Sequence, residues 1–116
     1  MDPSLESQFW YEYHNAQASE ASGMEGRARV CARRAASILL RDHLQRKNEL
    51  SLGMNSLDII KYVQESSAPS DLSTLLSHFT EKVNEGYQLP SKTDLVASLF
   101  QLAQMLDIAL DLKDLK

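Results

Sequence analysis

Leu72, Leu75, Leu76, Phe79 and Val83 fall at i, i+3, i+4, i+7 and i+11, an apolar stripe with the period of an α-helix. A second stripe follows at Leu95, Leu99, Leu102 and Leu106, widened by Val96, Phe100 and Ala103. Stripes this broad need other helices to cover them. The second predicts a helix over 91–106 that lies centrally in the core. Only 4 Gly and 3 Pro occur in 116 residues, too few for a turn-rich all-β domain or a linker. With 43% apolar and 24% charged residues, the chain has the composition of one globular domain.

Residues 27–47 contain no Gly or Pro and are rich in Ala and Arg, both strong helix formers. Ala28, Ala32, Ala35, Leu39 and His43 share one face, whose small side chains let another helix approach closely. Residues 48–55 read as a loop. Asn55 or Ser56 caps a helix carrying Leu57, Ile60 and Val63, which Pro69 ends by biasing Ala68 away from helical backbone. Ser70 or Asp71 caps the next helix, and Gly86 stops it. Ser91 with Asp94 resembles a capping box, with Asp in place of the usual Glu or Gln. Beyond Leu106 two periods compete. The leucine series continues a helix to about Leu112, since nothing before residue 107 stops it, while Ile108, Leu110 and Leu112 alternate as a strand would. The helical continuation is the favoured one.

The first residues differ in character. Phe9, Trp10 and Tyr13 cluster at i, i+1 and i+4 within an acidic, Ser/Ala-rich stretch, which suits a short helix over about 5–21. Ser22, Gly23 and Gly26 interrupt it. The expected fold is therefore all-α: a compact four- or five-helix bundle with short loops, whose N-terminal helix is loosely attached. Residues 1–26 are expected as an acidic, partly flexible arm with an aromatic cluster, and residues 27–116 as the helical domain.

Charge is segregated along the chain. Residues 1–26 hold five acids and no Lys or Arg, residues 27–47 hold seven bases against Asp42 alone, and residues 48–116 hold five Lys against ten acids. The net charge of −4 gives no overall attraction to nucleic acid, so any such attraction would come from the central basic island. Arg29, Arg33, Arg34, Arg41, Arg46 and Lys47 are its candidate contacts, for an acidic protein partner or for phosphates. Base-stacking aromatics do not interleave with them. Phe9, Trp10 and Tyr13 are candidate interface anchors, or else the apolar face of a first helix folded back onto the domain.

Catalytic chemistry finds little purchase. His14, His43 and His78 lie on separate segments, none with a second ligand at a metal-site spacing, and no phosphate-binding loop or nucleophile motif occurs. An enzyme would need a pocket that gathers His43 or His78 with a carboxylate. Cys31 has arginines nearby that would activate a thiol, but it sits mid-helix among alanines, the ordinary setting of a small buried side chain. As the lone cysteine it permits no internal disulfide, and a reducing compartment is expected. No basic-then-apolar leader and no membrane-length apolar run is visible, so the expectation is an intracellular protein, cytoplasmic or nuclear.

The run from Asp94 to Leu115 resembles the C-terminal end of kleisin subunits of condensin and cohesin complexes. The resemblance implies an apolar helix through Leu99, Phe100, Leu102 and Ala103 leading into a strand at Ile108, Leu110 and Leu112, parts of a winged-helix element contacting a chromosome-maintenance ATPase. It covers residues 94–115 only, and residues 1–50 match nothing in that family.

The function expected from the residues is a non-catalytic helical protein–protein interaction module, an adaptor or subunit of a larger complex, with no cofactor or metal. Its partner would be a protein, acidic or helical, and a homodimer is compatible. The alternatives are a nucleic-acid-binding domain using the 27–47 helix and the kleisin-like element.

Overall fold

The computed structural model describes residues 1–47, 54–66, 69–80 and 95–110. Helix α1, Pro3–Ala21, starts where Asp2 accepts hydrogen bonds from the backbone N–H groups of Ser4 at 2.8 Å and Leu5 at 3.3 Å. Pro3 takes the first helical position, where a missing N–H costs nothing. The helix ends at Gly23, whose φ of 76° suits a residue without Cβ. There Gly23 N–H reaches Glu20 O at 3.0 Å and Met24 N–H reaches Ser19 O at 2.8 Å, so two otherwise orphaned carbonyls gain donors.

Helix α2, Glu25–Arg46, follows at once. Gly26 lies inside its first turn and does not act as the breaker its type suggested. Helix α3, Ser56–Glu65, starts where Asn55 accepts from Asp58 N–H at 2.8 Å, as the sequence predicts. Helix α4, Ser70–Ser77, has Pro69 at its N-cap in place of Ser70 or Asp71. Phe79, the next residue of the predicted stripe, is fully buried in the turn beyond the helix end, and Val83 lies outside the described residues. Helix α5 is Leu95–Met105. The described residues form five helices and no strand, the all-α bundle expected. The expected cap at Ser91 and Asp94 and the stop at Gly86 lie outside the described residues.

The continuation of α5 to Leu112 does not occur. Asp107 adopts a φ of 59°, Asp107 N–H bonds Gln104 O at 3.1 Å, and Ile108 N–H bonds Ala103 O at 2.9 Å. This repeats the termination at Gly23, with aspartate in the left-handed position and Ile108 buried behind it. Residues 108–110 are neither helix nor strand, and Leu112 lies outside the described residues.

Helix α5 lies in the core as expected, with Leu99 and Leu102 fully buried, and α2 is central beside it. Helix α2 packs on α1, α3 and α5, and Ala35 through Leu40 are all buried. A helix can meet neighbours on several sides when its contacts are small, and Ala28, Ala32, Ala35 and Ala36 supply them. Helix α5 touches α1, α2 and α4.

The expected N-terminal arm is likewise a full member of the bundle. Phe9 is 0% exposed, Trp10 3% and Tyr13 2%. Their rings pack on one another, Phe9 to Trp10 at 5.1 Å edge-on, and Phe100 of α5 joins Tyr13 at 5.4 Å. The buried indole N–H of Trp10 donates to Glu6 Oε2 at 3.2 Å, so its burial leaves no orphaned donor. A polar thread ties the same end of the molecule. Asp42, 4% exposed, accepts from Asp2 N–H at 3.2 Å. Its Oδ2 lies 3.0 Å from Arg46 Nη2, an ion pair off hydrogen-bond alignment, and Arg46 Nη1 donates to Asp107 O at 3.2 Å.

Candidate functional site

Beside its aromatic seam α1 carries a polar face: Ser7, Gln8, Tyr11 and Glu12. Where it passes α2 and the start of α3 it leaves an open cleft of about 510 Å³. Helix α2 contributes Arg34, Ser37, Ile38 and Arg41, and α3 contributes Ser56 at its first turn. Tyr11, 67% exposed, stands at the rim.

The walls are fixed by hydrogen bonds. Ser37 Oγ donates to Arg34 O at 2.7 Å and meets Ser56 Oγ at 3.2 Å, which joins α2 to α3 beneath the cleft. Arg41 Nη2 donates to Met54 O at 2.8 Å, which holds the guanidinium against the chain that enters α3. Guanidinium carries five N–H donors, so this one bond leaves others for a visitor. Arg34 is exposed. Beside it, the Glu12 carboxyl is pushed above the ordinary glutamate range by burial, against a smaller opposing pull from the Arg34 charge. Its Oε2 is buried with no hydrogen-bond partner. The cleft thus holds two cations and one poorly solvated carboxylate.

The other expected contacts are dispersed. Phe9, Trp10 and Tyr13 are core residues, and side chains so enclosed present no anchor to a partner. Arg33 Nε donates to Phe79 O at 2.9 Å, closing the turn after α4. Burial lowers the basicity of Arg33, and the charge of Arg29 adds to that. Arg46 serves Asp42 and Asp107, and Lys47 caps α2 at the far end. Only Arg34 and Arg41 of the six candidate cations come together in the cleft. Sequence reasoning passed over Ser7, Gln8, Tyr11 and Glu12, although their helical spacing marks a second face of α1.

His43 lines a separate cavity of about 290 Å³ with Leu44, Lys47, Tyr62 and Met105, and no carboxylate is among its lining residues. Among the described residues no group of three metal-ligating side chains converges, and no helix is long and apolar enough to cross a membrane. Cys31 is free and buried. No family model, no curated protein and no solved structure matches the chain.

Proposed function

We propose that this chain is a non-catalytic protein–protein interaction module, an adaptor or assembly subunit, whose contact surface is the cleft between α1, α2 and the start of α3. One observation carries the reading: an exposed aromatic ring, Tyr11, and the exposed Arg34 line the same open cleft, while Phe9, Trp10 and Tyr13 on the same helix are sealed inside. Tyrosine and arginine are the side chains that most often carry binding energy at protein interfaces. The partner is met in the cytoplasm or nucleus, where a lone thiol such as Cys31 stays reduced. Nucleic acid is the weaker reading, because the candidate cations are dispersed and only Arg34 and Arg41 line one cleft, whereas phosphate binding draws on many cations at once.

The test is photo-crosslinking in living cells, with benzoyl-phenylalanine placed at position 11 or at exposed position 17, which lies on α1 outside the cleft. The expected result is a discrete protein adduct from position 11 and none from position 17. Equal labelling from both positions, or no adduct from position 11, overturns the proposal.

A further inference from the structure

We propose that the occupant of the cleft is an acidic, extended peptide segment of the partner, with one carboxylate drawn to Arg34 and Arg41. This rests on the interaction reading above and names the chemistry of its partner. The first argument is local sign. The chain carries a net charge of −4, and α1 contributes no Lys or Arg, yet the cleft offers two guanidiniums against one carboxylate. A cationic patch on an acidic molecule attracts anionic groups locally and so fixes where an acidic segment settles.

The second argument is shape. The cleft is open along one side and its lining is largely polar, whereas small-molecule sites enclose most of their ligand and are mainly apolar. A main chain lying along it would meet Gln8, Ser7 and Ser56 as hydrogen-bond partners, with Tyr11 and Ile38 as flanking apolar contacts.

The third argument is the state of Glu12. Its carboxylate is poorly hydrated, and its Oε2 lacks a hydrogen bond although Arg34 is near enough to act on it. An incoming carboxylate can take Arg34 in a bidentate fork that Glu12 does not make. Glu12 then stands as a like charge beside it. Its removal strengthens binding, the reverse of what loss of an ordinary contact residue does.

Two measurements test this. The segment joined to the position-11 adduct is identified by mass spectrometry, and a short fluorescein-labelled peptide of alternating aspartate and leucine is titrated by fluorescence anisotropy into the full chain. The expected adduct segment is rich in Asp and Glu. The expected peptide affinity falls about tenfold in Arg34→Glu, rises about threefold in Glu12→Gln, and drops with added salt. Circular dichroism of both variants is measured alongside and is expected to match the parent chain, so that altered binding reports on the site. A neutral or basic segment in the adduct, equal binding of the peptide with asparagine at each acidic position, or tighter binding of a single-stranded RNA of equal charge overturns the acidic occupant. An adduct from a second copy of this chain overturns it as well. These outcomes leave the interaction reading intact, because that reading is overturned by different results: no protein adduct from position 11, or equal labelling from positions 11 and 17.

Discussion

Helices α1 and α2 meet twice, and the two meetings differ in kind. Along one face of α1, Phe9, Trp10, Tyr13 and Ala16 are buried in the core that includes Ala32, Ala35 and Ala36 of α2. Along the other, Ser7, Gln8, Tyr11 and Glu12 stand off from Arg34, Ser37 and Arg41 and leave a cleft. Large rings set among small side chains close a seam, while charged and hydroxylated side chains hold water between helices. The comparison separates residues that hold the fold from residues free to serve a partner, and substitutions on the two sides should behave oppositely.

The seam breaks with the largest effect. Phe9→Ala removes a fully buried ring, and a loss of about 3–5 kcal/mol is expected in urea unfolding monitored by circular dichroism. Enlarging the opposing face is the milder test. Ala32→Leu places a branched side chain where none fits, and chemical unfolding should show a loss of about 1–3 kcal/mol. A neutral result for either would mean that α1 is not seated on α2 as described.

The cleft answers to pH instead. Because burial raises the Glu12 pKa in the folded chain, its protonated form is favoured there over the unfolded chain. Its contribution is fully present below the ordinary glutamate value of 4.5 and is lost as pH rises through the raised one. Glu12→Gln should therefore match the parent chain in stability near pH 4 and exceed it slightly at pH 7, as compared by unfolding at both pH values. A variant less stable at pH 7 would mean that the attraction of Arg34 outweighs desolvation.

The sequence disclosed these two faces unequally. The aromatic spacing at Phe9, Trp10 and Tyr13 marks one face of a helix, but a large ring reads equally well as core or as anchor until a neighbour is placed over it. The alanine face of α2 was legible as a close-approach surface. Its central position was not, since leucine content favoured α5, whereas smallness decides how many helices can gather round. Gly23 announces its turn because glycine tolerates positive φ at no steric cost. Asp107 makes the same turn without announcing it, and so the end of α5 was misplaced. The work of Arg33, Arg41 and Arg46 was hidden for another reason. Their acceptors are backbone carbonyls of Phe79, Met54 and Asp107, and every residue has a carbonyl. The cleft draws on three segments, so only the fold assembles it. Its traces in the sequence are the spacing of Arg34 and Arg41, seven residues apart, and the polar face of α1 at Ser7, Gln8, Tyr11 and Glu12.

The claim that the cleft and not the seam meets the partner is tested most directly by one variant, Arg34→Glu, read for stability and for contact together. Arg34 is exposed, so its thermal unfolding midpoint should move by no more than about 4 °C, while the photo-adduct from position 11 disappears. A folded Arg34→Glu chain that still forms the adduct in full yield, or one that no longer folds, would contradict the account.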